Sequence, residues 1–162
     1  MKANDIMIFK QAIINEVEGF EFYKMAAHNA GDESIRQSFL TLANEELKHI
    51  DWLKDAFQKL GGAGEQVKLA TFDAPPSPGI FKWENLKTQN ANLSVSVFGI
   101  AIEMERASVA FYKEAQGKTS YEAARLLFEV LEKWEQGHLE QFSSVYDTLI
   151  KEWWNDQGFD AF

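Results

Sequence analysis

The chain has no cysteine, which excludes a disulfide framework, a cysteine zinc site and a thiolate iron centre. Any metal must therefore rest on carboxylates and imidazoles. Proline is nearly as scarce: Pro75, Pro76 and Pro78 are the only three, so long stretches on either side are free to be helical. Lys and Arg total 16 against 25 Asp and Glu, with no basic block. Such a surface repels a phosphate backbone, and nucleic acid is not expected as a partner. No apolar run approaches the ~18 residues of a membrane span. Met1 to Lys10 has Asp5 ahead of a short apolar stretch and no signal-peptide pattern. A cytoplasmic location without a membrane partner is the expectation. What the 162 residues do have is 46% hydrophobic and 14% aromatic content, far above a disordered acidic chain and enough for a single domain over 1–162.

Four stretches carry apolar residues at helical period. They are Phe9, Ile13, Phe20, Tyr23 and Ala27; Ile35, Phe39, Leu42, Ile50, Leu53, Phe57 and Leu60; Phe98, Ile102, Val109 and Tyr112; and Leu127, Leu131, Leu139, Phe142, Val145 and Leu149. Gly31-Asp32, Gly61-Gly62 and Gly117 followed by Thr119-Ser120 supply stops and N-caps. The expected helices span 5–29, 32–60, 90–116 and 120–152. Short turns make each pair an antiparallel hairpin, over 5–60 and 90–152, with a tail over 153–162. The 61–89 segment, which holds all the prolines, is long enough to cross the length of a helix and leave the second and third helices parallel. The expected fold is all-α: a ferritin-like four-helix bundle with one long crossover.

An internal repeat supports this arrangement. Shifted by 89 positions, residues 9–60 match 98–149 at 15 of 52 positions without a gap, against about three by chance. Among the matches are Glu16 with Glu105, Tyr23 with Tyr112, Glu46 with Glu135, and His49 with His138. One helical hairpin has been used twice.

The repeat contains two Glu-x-x-His units, Glu46 to His49 and Glu135 to His138, each with a glutamate 30 residues upstream, Glu16 or Glu105. Residues three apart lie a turn above one another on one helix face, so a carboxylate and an imidazole can close on one ion. A lone unit of this kind is commonly a solvated pair. Here every one of the four glutamates interrupts an apolar stripe and so points inward. Ionised carboxylates converging in a core are costly unless paired or metal-bound, and two divalent ions would cancel their charge. Without metal these groups are expected to repel, so replacing Glu135 by Gln should stabilise the metal-free form.

Glu45 also lies within reach of His49's helix face, but it falls on Trp134 in the repeat, which selects Glu46. Glu132, Glu18, Glu21 and Glu103 fall on Ala43, Ala107, Ala110 and Ile14, and all five are expected at the surface or around the site. Tyr23 and Tyr112, two turns past Glu16 and Glu105, have two readings. They are core aromatics with satisfied hydroxyls, or they are donors to a metal ligand or redox-active phenols that take part in the chemistry. His28 has no counterpart and sits at a helix C-terminus, a structural position.

These residues resemble the rubrerythrin family over about 5–150. The resemblance rests on Ala12-Ile13-x-x-Glu16 with Tyr23, Glu46-x-x-His49, Ala101-Ile102-x-x-Glu105 with Tyr112, and Glu135-x-x-His138. It implies two iron ions per chain, with manganese or a mixed pair as the alternative. Glu46 and Glu135 would bridge, and Glu16, Glu105, His49 and His138 would be terminal ligands. It also implies reduction of hydrogen peroxide or oxygen in a homodimer or larger homo-oligomer. A ferroxidase or iron-storage subunit is the alternative, and a metal-free or manganese-binding structural bundle stands behind both. Full rubrerythrins carry a four-cysteine rubredoxin-like domain; this chain has no cysteine, so its electrons must come from an external donor protein. They also often carry an extra glutamate one turn after the third helix's ligand, where this chain has Ser108.

Overall fold

The computed structural model describes residues 1–31, 33–61 and 93–158. Within them the chain forms α1 (Ala3–Asn29), α2 (Glu33–Gly61), α3 (Leu93–Lys118) and α4 (Glu122–Asp156), and no strand. The expected crossover beyond Gly61, the Asp32 cap and the last four residues of the tail lie outside the described residues.

The largest boundary difference is at α4, which runs past 152 and takes Trp153 and Trp154 into its last turn. Nothing in that stretch stops a helix until Gly158, whose φ of +73° takes the chain out of helical geometry. The expected cap at Thr119-Ser120 is also displaced: the N-cap is Tyr121, with no side-chain cap. Asp5 explains the change. Its Oδ1 accepts hydrogen bonds from the Thr119 hydroxyl and the Ser120 N–H, both at 2.8 Å. Burial works against the Asp5 charge, but these bonds outweigh it and hold the carboxyl below its ordinary range. The start of α1 is thereby fastened to the α3–α4 turn, and Lys2 and Asn4 add bonds to Ser120 and Lys118.

Those contacts make α1 and α3 antiparallel. α1 packs mainly on α2 and α3 on α4, with less extensive packing between the hairpins. Phe39 near the start of α2 meets Phe98 near the start of α3 at 5.1 Å between centroids, so α2 and α3 run parallel as the sequence led one to expect. The apolar core falls into two clusters. One gathers Phe22, Tyr23, Phe39, Phe98 and Phe142, the other Phe9, Leu53, Tyr112, Phe128 and Leu131. Each fully buried aromatic or leucine contributes roughly 1.5–3 kcal/mol. Val145 departs from its expected inward place and is 41% exposed. No helix among the described residues is long and apolar enough to cross a membrane.

Candidate metal centre

Between the two apolar clusters lies a layer of charge. Glu16 is contributed by α1, Glu46 and His49 by α2, Glu105 by α3, and Glu135 and His138 by α4; none is more than 3% exposed. The structure thus brings together all six residues expected at the site. His49 Nδ1 lies 3.0 Å from Glu16, 3.2 Å from Glu46 and 3.3 Å from Glu135. His138 Nδ1 stands 3.5 Å from Glu46 and 3.6 Å from both Glu105 and Glu135.

Two groups of ligand atoms result. Glu16, Glu46, His49 and Glu135 offer atoms within 4.8 Å of one another, and Glu46, Glu105, Glu135 and His138 do the same. Glu46 and Glu135 belong to both. The donor set fits hard or borderline divalent ions, carboxylate oxygen with one imidazole each. A second observation agrees: Glu105 Oε2, Glu135 Oε1 and His138 Nδ1 are buried without a hydrogen-bond partner. A folded protein rarely leaves such atoms unpaired, and cations held by the two groups would satisfy them.

With no ion present, burial and mutual repulsion favour protons on some of these groups. Burial pushes Glu46 well above the ordinary carboxylate range, and the neighbouring charges of Glu135 and Glu16 push it further. Glu105 is raised to about 8, mainly by burial and by Glu135. For the histidines burial opposes charge, but the surrounding carboxylates prevail and lift His49 to about 10 and His138 to about 12. Glu135 goes the other way. Burial would raise it, yet bonding to His138 and His49 holds it far below its usual value. Glu135 faces both imidazole rings, so in this arrangement it is their counter-ion and Glu135→Gln is expected to destabilise the metal-free form, the reverse of the expectation from repulsion alone.

The tyrosines cross between the repeats. Tyr23 on α1 donates to Glu105 of α3, and Tyr112 on α3 donates to Glu16 of α1. Burial raises both phenols well above their ordinary value, and the facing carboxylates add to it. Each phenol therefore keeps its proton and orients a carboxylate. Both rings also belong to the apolar clusters, so these are core aromatics whose hydroxyls are satisfied by carboxylates of the charged layer.

Three further residues complete the surroundings. Ser108, 2% exposed, accepts from Asn15 Nδ2 at 3.2 Å, and the same amide lies 3.4 Å from Glu16 Oε1. Asn15 gives little signal in the sequence beyond being a polar residue beside Glu16. Glu45 lies around the site as expected, with Oε2 3.0 Å from His138 Nε2. His49 instead meets Trp52 and Trp134, each at 5.5 Å between ring centroids.

The chain matches the Rubrerythrin family model over residues 8–146. No curated protein matches it. Several solved structures share its fold. A hypothetical protein from Pyrococcus furiosus is 22% identical, with 89% of each chain covered and a TM-score of 0.68. A dodecameric thioferritin, the bacterioferritin-related protein of Bacteroides fragilis, is 19% identical over 97% of this chain and 90% of its own, at a TM-score of 0.69. A manganese catalase from Anabaena is 16% identical over 93% of this chain and 75% of its own, at 0.67.

Proposed function

The chain belongs to the rubrerythrin family, and from that premise we propose that it holds two iron ions and reduces hydrogen peroxide with electrons from an external donor protein. The observation that carries this reading is the pair of buried ligand groups sharing Glu46 and Glu135. In this reading Glu46 and Glu135 would be shared between the two ions, with Glu16 and His49 holding one of them and Glu105 and His138 the other. The bound metals would supply two adjacent one-electron donors and polarise an O–O bond for cleavage.

The protein's own part is positioning and exclusion. Tyr112 and Tyr23 fix one oxygen each of Glu16 and Glu105. Glu45 fixes the outer nitrogen of His138, which directs Nδ1 at the carboxylates. Apolar clusters on both sides keep bulk water away from the centre. Reduction of peroxide to two waters takes two electrons and two protons. With no cysteine in the chain, the electrons have no thiolate iron centre here to pass through. A homodimer or larger assembly is part of the proposal; the related Bacteroides fragilis fold is a dodecamer.

Ser108 favours a second reading. It occupies the place of the additional family glutamate and is tied to Asn15, so the site has no seventh carboxylate from that position. Oxidation of ferrous iron for storage is the chemistry this symmetric arrangement suits. Stopped-flow mixing of the reduced, iron-loaded protein with each oxidant separates the two. A faster reaction with peroxide is expected, with return to the reduced state only when a donor is added. A faster reaction with oxygen, followed by mineral growth in excess ferrous iron, assigns ferroxidase instead.

A further inference from the structure

The 89-residue repeat gives each residue around one histidine a mate around the other, and near the site the mates differ. Glu45 is paired with Trp134, Gln141 with Trp52, and Gly137 with Lys48. On the His138 side, Glu45 meets Nε2 at 3.0 Å. Glu45, Gln141 and Gly137, with Lys133 and Trp134, line a surface depression of about 240 Å³ that reaches His138. A side-chain carbon added at Gly137 would meet nothing within 4 Å, so this end is open as well as polar. On the His49 side the mates form an aromatic wall, Trp52 and Trp134 lying 6.1 Å apart and each 5.5 Å from the imidazole.

A carboxylate on the outer nitrogen of a ligating imidazole holds the ring in one tautomer and orientation and makes the inner nitrogen a stronger donor. An indole cannot do this, since its N–H donates and accepts nothing. The duplication has therefore been kept in the six inward residues and broken just outside them.

We propose that the two metal positions are unequal, with the position at His138 filling first because Glu45 positions His138 while tryptophan stands at the matching place beside His49. This inference rests on the two-metal reading above. It goes further by assigning an order of filling and a residue that sets it. Loss of such a carboxylate partner typically weakens metal affinity by ~10–100-fold, which is the size of preference expected between the positions.

Crystals of the full chain prepared with one equivalent of cobalt(II), measured at the cobalt absorption edge, test the order directly. Anomalous density concentrated at His138 is expected, and calorimetric titration should show two unequal steps. Glu45→Ala should bring the two occupancies toward equality and weaken the first step by ~10–100-fold. Glu45→Gln, which retains an acceptor oxygen, should recover part of the preference. Glu45 is partly exposed, so both variants should fold, and a packing role alone would not move an occupancy ratio. Equal occupancy in the wild type, filling at His49 first, or an unchanged ratio in Glu45→Ala overturns the inference while leaving two-metal binding intact. Absence of cobalt from both positions overturns both.

Discussion

Two glutamates in the same buried layer should respond unequally to the same substitution when metal is removed. Glu135 Oε1 lies 3.3 Å from His49 Nδ1 and Oε2 lies 3.6 Å from His138 Nδ1. At an effective dielectric of about 20, each contact between full charges is worth roughly 5 kcal/mol before desolvation is subtracted. Breaking a buried pair typically costs ~3–5 kcal/mol. In Glu135→Gln the amide oxygen still accepts a hydrogen bond and the imidazoles can shed protons, so a net loss of about 2–4 kcal/mol is expected. For a chain of this length that lowers the melting temperature by roughly 5–12 °C. Burial and the neighbouring carboxylates push Glu46 well above the ordinary carboxylate range, so Glu46→Gln is expected to exchange one neutral group for another of the same shape. Its expected effect is within about 1 kcal/mol of zero. Urea and thermal unfolding in the presence of a chelator at pH 6 measure both. A Glu135→Gln protein as stable as Glu46→Gln, or more stable than wild type, would refute the assignment of Glu135 as the counter-ion.

Metal-free stability should peak in mild acid. Glu105 contributes fully below 4.5 and its contribution fades as pH rises through about 8, and Glu46 acts in the same direction. His49 and His138 contribute fully below 6.5 and lose their contribution toward about 10 and about 12. Glu135 has the reverse sign, its contribution being present above 4.5 and lost as pH falls below it; chemical unfolding from pH 4 to 9 should show the maximum near 4.5, with the decline steepening above 6.5. Metal must displace the protons on Glu46, Glu105 and both histidines, so loading at pH 7 should release about four protons and tighten as pH rises; calorimetry in buffers of different ionisation enthalpy counts them. Tyr112→Phe and Tyr23→Phe each remove a donor from a buried carboxyl group and should cost about 1–3 kcal/mol in chelator, with the crossed pairing checked by whether Glu16→Gln and Glu105→Gln remove the effect of Tyr112→Phe and Tyr23→Phe respectively. Ser108→Glu should raise the peroxide rate relative to the oxygen rate; an unchanged ratio would show that this position does not set oxidant preference.

The helices and the six inward residues were legible because both are written as periodicity, the first at 3.6 residues and the second at 89. What escaped was whatever depends on approach between distant segments. Asp5 reads as a first-turn acid, yet it lies at the bundle's end beneath Thr119 and Ser120, and that contact displaced the expected cap. Val145 fits the apolar stripe of α4 but stands 41% exposed, the core-facing places of that stretch being taken by Phe142, Tyr146 and Leu149. The crossed tyrosine bonds follow from α1 and α3 being antiparallel, a relation that no single helix encodes. Glu45 is the most instructive case. Its mismatch with Trp134 correctly excluded it from the inward set, and the same mismatch marks where the two halves of the protein have diverged.

The looser packing between hairpins than within them gives the buried layer a role in assembly. Each of the two ligand groups draws on both hairpins: Glu16, Glu46 and His49 are joined by Glu135 in one, and Glu105, Glu135 and His138 by Glu46 in the other. An ion in either position would be a bolt through the seam. A chain divided between Gly61 and Leu93 would yield two fragments, each an amphipathic hairpin with three ligands of one group and one of the other. Their recombination would be driven by metal, reversed by chelator, and dependent on metal concentration in the way a dimer depends on protein concentration.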